Sequence, residues 1–263
     1  MVILCCASLH RTNCLKSFLA VSAFLYILPF GLIALSACHT QVTPKSSSLK
    51  EIGDEYNVIY VANDHGPYVP PNEFLMTFIK SSGEHPMRGA KALDIGSGNG
   101  RNSLYLAREG YSVTAVDISS IGLGLTDEHA RKEQLDVETV QMDINRFEFG
   151  SNRWDLIVLV DFPFPYQAIL PKIAEGLKPG GKVLIEAVSV KEPRRSGQAV
   201  EFTHMDRRDL TQPFASFSKL YDREAVWPSV WGGQAKMIRF VGRKRSNPAS
   251  VSYTHLRAHE TRE

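Results

Sequence analysis

The sequence predicts an α/β fold: a doubly wound, mostly parallel sheet with helices on both faces and an antiparallel hairpin at its C-terminal edge. Three observations predict it. Short β-branched runs alternate with longer stretches of helical periodicity through the middle of the 263-residue chain. One run, Asp155 to Val160 (DLIVLV), is apolar on both faces, as a central parallel strand requires. Three alternating glycines, Gly96, Gly98 and Gly100, join the end of one strand to the start of a helix, and glycine permits the tight backbone path such a junction needs.

The elements follow in order. Pro71-Asn72-Glu73 opens an amphipathic helix with Phe74, Leu75, Phe78 and Ile79 on one face, ended by Ser81-Ser82-Gly83. Strands are expected at 91–95, 112–117, 138–142, 154–160 and 182–187, and helices at 101–109, 121–133 and 166–177. Lys178-Pro179-Gly180-Gly181 should turn the chain between the last helix and the fifth strand, because proline and paired glycines cannot continue a helix. Phe214 to Leu220 and Ala235 to Gly242 read as the two strands of the hairpin.

Length and composition fit one globular domain with appendages. The chain is 43% hydrophobic and 22% charged, which supports a packed core and excludes global disorder. A formal net charge of +2, with only short basic clusters at 191–195 and 239–245, gives no nucleic-acid-binding face. All four cysteines (Cys5, Cys6, Cys14, Cys38) lie near the N-terminus, so the catalytic region has no disulfide, thiolate metal site or cysteine nucleophile.

Both ends read as additions to that domain, which is expected to span 51–245. Ser17 to Cys38 carries no charge and, at about 1.5 Å per residue, is long enough to cross a hydrocarbon layer of ~30 Å. Arg11 and Lys16 precede it, giving the layout of an export signal. Leu35-Ser36-Ala37-Cys38 resembles a bacterial lipobox, in which Cys38 would be lipidated. An uncleaved signal anchor and a misassigned start codon, which would leave the protein cytoplasmic, are the competing readings. Residues 39–50 form a polar linker. Residues 246–263 show no apolar periodicity, read as a disordered tail, and include a stretch resembling translated adapter sequence. His255 and His259 have an i, i+4 spacing that could hold a metal but no third ligand nearby, and the spacing of His65, His204 and Glu186 gives no support, so no metal site is expected.

The glycine loop sets the ligand class. In Asp94-Ile95-Gly96-Ser97-Gly98-Asn99-Gly100-Arg101-Asn102, a dinucleotide fingerprint would need glycine where Arg101 stands. Asp94, two residues before the first glycine, would repel a pyrophosphate and suit a cationic amino-acid group. Asp117 ends the second strand, where a carboxylate can accept hydrogen bonds from both hydroxyls of a ribose. Asp143 follows at the end of the third, placed to take an adenine amino group, with Ile118 and Ile144 sandwiching the ring.

The run ALDIGSGNGRNSLYLAREGYSVTAVDIS resembles the cofactor-binding signature of class I, Rossmann-like S-adenosylmethionine-dependent methyltransferases. It is most similar to the branch of tellurite-resistance methyltransferases and related small-molecule enzymes. Trp154-Asp155-Leu156-Ile157, Gly176 to Gly181 and Pro71 to Leu75 share in the likeness. Ser97 stands where that branch often has cysteine, and Asp161-Phe162-Pro163-Phe164 departs from its usual apolar stretch. The resemblance implies S-adenosyl-L-methionine as cofactor, bound through Asp94, Gly96, Ser97, Gly98, Asn99, Gly100, Asn102, Asp117, Ile118, Asp143, Ile144 and Asp161. It also implies a small-molecule acceptor such as a thiol, an amine or a chalcogen oxyanion. Acceptor-side candidates are Tyr68 and Asn72 for binding, with Asp161 and Glu186 nearest to a catalytic role. A non-catalytic, exported S-adenosylmethionine-binding lipoprotein is the alternative.

Overall fold

A computed structural model describes residues 49–62, 70–83, 86–163, 165–192, 204–229 and 233–246. The candidate lipidation site Cys38, the apolar run 17–38, Tyr68, His65, Phe164 and the tail from 247 lie outside them. No helix among the described residues is long and apolar enough to cross a membrane.

Five parallel strands form the sheet: β1 (Lys91–Ile95), β2 (Ser112–Asp117), β3 (Val137–Gln141), β4 (Trp154–Val160) and β5 (Leu177–Val188). Two antiparallel strands complete it, β6 (Phe217–Pro228) and β7 (Gln234–Lys244), in the order β3-β2-β1-β4-β5-β7-β6. The mostly parallel, doubly wound prediction holds. The chain winds outward from β1 to β3 and restarts on the other side with β4, so β1 and β4 flank the crevice where such sheets bind ligands. The double-sided apolar run of β4 is explained by its central place, with Leu156 and Val158 facing one core and Ile157 and Leu159 the other.

Helices α2 (Glu73–Ser82), α3 (Arg101–Arg108), α4 (Ser120–Glu133) and α5 (Leu170–Gly176) cover the sheet. α2 begins where expected because the Asn72 side chain accepts a hydrogen bond from Leu75 N, and it stops at Gly83 with φ +59°. Three boundaries depart from expectation. α5 starts at Leu170 rather than Tyr166, because Pro171 occupies its first turn, where a missing N–H costs nothing. Lys178 to Gly181 does not turn the chain but bulges within β5, which already pairs Leu177 with Trp154 before Lys182 meets Leu156. Phe214 belongs to the turn preceding β6, its ring buried against Phe217 and Phe240 at 5.1 and 5.4 Å between centroids.

A further helix, α1 (Leu49–Ala62), stands where the sequence suggested linker and domain edge. Gly53, Tyr56, Asn57 and Tyr60 fall at i, i+3, i+4 and i+7 and share one face, while Val58 and Val61 are exposed on the other.

Candidate active site

Four segments meet at the C-terminal ends of β1, β2, β4 and β5. Gly96, Gly98 and Gly100 all adopt left-handed backbone, with φ +68°, +57° and +79°. Their missing Cβ atoms leave room for neighbouring side chains. A Cβ on Gly96 would lie 2.8 Å from the Phe162 ring, one on Gly98 2.2 Å from the Tyr60 hydroxyl, and one on Gly100 2.4 Å from Thr126 Oγ1. Gly122 of α4 approaches closely too, its Cβ position being 2.7 Å from the Gly98 carbonyl. The glycines therefore let β4, α1 and α4 close on the loop.

Three carboxylates surround it. Asp94 is 1% exposed and accepts a hydrogen bond from Ser103 Oγ at 2.6 Å. Burial pushes its pKa up to about 6, with the Ser103 bond and the Arg101 charge opposing. Asp117 accepts from Gly98 N at 2.8 Å and Ser119 N at 2.7 Å, and burial outweighs both in raising its pKa. Asp161, held at φ +53°, accepts from Arg101 Nη2 at 2.7 Å; its pKa too is raised by burial against the pull of that guanidinium. Arg101 thus acts on Asp94 and Asp161 while Asp117 relies on backbone N–H donors, so the carboxylates around the loop leave a negative excess.

A second polar cluster, around Glu186, is built from α2, β5 and β7. Asn72 receives Leu75 N on its side-chain oxygen and donates from Nδ2 to Glu186 Oε1 at 2.5 Å, while its backbone N–H donates to Asn102 Oδ1 at 2.9 Å. Glu186, 3% exposed, also accepts from Arg239 Nε at 2.5 Å. Burial raises its pKa, opposed first by the charge of Arg239.

Residues 92–181 match the family described as a methyltransferase domain. That segment is a methyltransferase domain, set in the Rossmann-like fold that solved methyltransferases share. It is similar to TehB of Haemophilus influenzae, a probable S-adenosyl-L-methionine-dependent methyltransferase, at 37% identity over 88 residues, 34% of this chain and 31% of that protein. It is 31% identical to the ubiquinone biosynthesis O-methyltransferase of Coxiella burnetii over 107 residues, 39% of this chain and 45% of that protein. The chain thus spans less than half the length of these relatives. The crystal structure of the Haemophilus influenzae TehB shares the fold with a TM-score of 0.57 at 23% identity, covering 72% of this chain and 67% of that one. The likeness to TehB agrees with the branch read from the sequence.

Within the methyltransferase domain the expected site residues divide. Asp94, the glycines, Ser97, Asn102 and Asp117 gather at the loop, with Asn99 between Gly98 and Gly100 in it; Asp161 pairs with Arg101, and Glu186 with Asn72. Ile118 adjoins α1, its carbonyl 3.3 Å from the Cβ position of Gly53. Asp143 does not end β3 but caps a 3-10 turn, accepting from Asn145 N at 3.0 Å. The Ile144 side chain packs in the core, 6% exposed, beside Val116 and Phe147. Asp161, expected among the cofactor-binding and catalytic candidates, pairs with Arg101.

Sequence reasoning missed four participants. Arg101 registered only as a residue that is not glycine, yet it is the counter-charge of the loop. Asn57 accepts from Ser119 Oγ at 2.7 Å and Ile121 N at 3.2 Å, fastening α1 to the start of α4. Tyr60 lies over the loop, its pKa driven up by burial and by the nearby Asp117. Arg239 is invisible in sequence because its partner Glu186 lies 53 positions away.

The residues present fit the cofactor on two counts. The carboxylate excess suits a ligand carrying sulfonium and ammonium groups. In the loop itself, Ser97 Oγ is buried and has no hydrogen-bond partner among the described residues, an unmet polar group of the kind a bound ligand satisfies.

Proposed function

We propose that this protein transfers the methyl group of S-adenosylmethionine to a small-molecule acceptor with a thiol, amine or chalcogen oxyanion nucleophile. The observation that carries this reading is the glycine loop enclosed by Asp94, Asp117 and Asp161, with Arg101 paired to Asp161 and its charge acting on Asp94. When bound, the cofactor supplies an activated methyl on sulfur. The protein's task is then chiefly alignment.

Asp94 and the loop hold the amino-acid end, with Ser103 fixing the Asp94 carboxylate. Asp117 serves the ribose by exchanging its present bonds to Gly98 N and Ser119 N for hydroxyl donors. Asp161 and Phe162 at the end of β4 form the wall beside the acceptor, and Arg101 keeps the Asp161 carboxylate oriented. Tyr60 and Asn57 bring α1 across the loop and exclude water from the cofactor side. Isothermal titration of S-adenosylmethionine into the full chain tests the reading without knowledge of the acceptor. A micromolar Kd, about −8 kcal/mol, supports it, and no heat at millimolar ligand overturns it.

We also propose that the apolar run 17–38 attaches the protein to a membrane, on the support of its length and its flanking Arg11 and Lys16. Cell fractionation of the full chain tests this, with recovery in the soluble fraction as the contrary result. Cys38→Ala separates lipidation from a plain anchor.

A further inference from the structure

We infer that Arg239 forms an anion subsite at the acceptor end of the sheet, and that the methyl acceptor is a small organic molecule bearing a carboxylate. The inference rests on the proposed methyl transfer and names its substrate class. Arg239 lies on β7 directly opposite Glu186 on β5, and Glu186 is in turn opposite Val160, the residue before Asp161. The guanidinium therefore stands at the same end of the sheet as the β4 wall, close enough that its charge acts on Asp161.

Its surroundings hold it in one plane. The guanidinium carbon lies 4.5 Å from the Trp227 ring centroid and 5.2 Å from that of Phe74. Nε is committed to Glu186, and Asn72 occupies the other Glu186 oxygen, so the carboxylate cannot swing away. Arg239 is only 8% exposed, yet its Nη fork has no hydrogen-bond partner among the described residues. A guanidinium held by one edge, flanked by rings and presenting its remaining donors as a fork matches the two oxygens of a carboxylate. Charge favours the monoanion: Glu186 beside the guanidinium and the nearby charge of Asp161 both oppose an anion, so a dianion such as phosphate meets about twice the repulsion that a monoanion does.

Titration calorimetry of acetate, benzoate, benzamide and inorganic phosphate into the full chain, each with and without S-adenosylmethionine, tests the subsite. The expected result is binding of the carboxylates, with benzamide and phosphate weaker by about tenfold or more. Arg239→Gln alone would strand a buried Glu186 charge and endanger folding, so the informative variant is the double Arg239→Gln, Glu186→Gln. It should lose the preference for benzoate over benzamide while binding S-adenosylmethionine as before. The single Glu186→Gln should tighten benzoate binding, because the fork is no longer shared with a neighbouring anion. Benzoate binding no tighter than benzamide or phosphate, or unchanged in the double variant, would overturn the subsite. Failure to bind S-adenosylmethionine is read in its own titration and overturns the methyl-transfer reading instead.

Discussion

Asp94 shows how a buried carboxylate makes stability depend on pH. Its folded pKa of about 6 lies above the model-peptide value of 3.8, so between those values the folded state binds more protons than the unfolded one. Stability of the cofactor-free protein therefore falls as pH rises through this window, by about 3 kcal/mol in total from this group. Asp94→Asn should flatten that slope and raise the cofactor-free Tm near neutral pH, while abolishing S-adenosylmethionine binding; denaturant melts at pH 4 to 8 alongside titration check both halves. In the wild type, cofactor affinity should drop as pH falls below 6, where Asp94 takes up its proton. At Gly98 the constraint is steric. Gly98→Ala incurs about 1 kcal/mol for left-handed backbone, on top of a Cβ position 2.2 Å from the Tyr60 hydroxyl. Adding Tyr60→Ala should recover the clash and leave the backbone cost, which a double-mutant cycle of unfolding free energies measures.

Among the elements, α1 is the one whose role depends most on a few polar contacts. Its outward face is exposed at Val58 and Val61, and its attachment to the domain includes Asn57, Tyr60 and the close passage of Gly53 beside Ile118. A helix with an exposed outer face opens at lower free energy than the central strands of a sheet. Asn57→Ala removes the acceptor for both Ser119 Oγ and Ile121 N, so amide hydrogen exchange should accelerate across 49–62 while β1 and β4 keep their protection. Cofactor affinity should weaken several-fold in parallel, and unchanged affinity would show that α1 does not help close the site. Helix α2 is anchored the other way, its N-terminal Asn72 tied at once to Leu75, Asn102 and Glu186. That cap joins the helix to the acceptor wall.

Across the whole molecule, two buried ion pairs connect parts of the chain remote in sequence, Arg101–Asp161 joining α3 to the end of β4 and Glu186–Arg239 joining β5 to β7. Arg101→Met leaves Asp161 buried without its counter-charge, and should lower stability by roughly 3 kcal/mol, with most of the loss restored by adding Asp161→Asn. Thermal melts of the single and double variants measure this, and the loss should change little with salt because both side chains are largely buried. By itself the sequence determined the strand and helix order from β1 to β4, the glycine loop and the positions of Asp94 and Asp117, because hydrophobic period and strand-end acids are local patterns. It also determined the ligand class, since Arg101 in place of a third-motif glycine is a local substitution. Helix α1, the bulge that carries Leu177 into β5 and the turn that takes up Phe214 escaped it, because each is stabilised by contacts with a distant segment and not by its own period. Only the tertiary structure decided that Asp161 answers to Arg101 and that Glu186 holds Arg239 between two rings. Those pairings arise where separate strands end side by side, and the spacing of residues along a chain carries no record of which strand ends become neighbours.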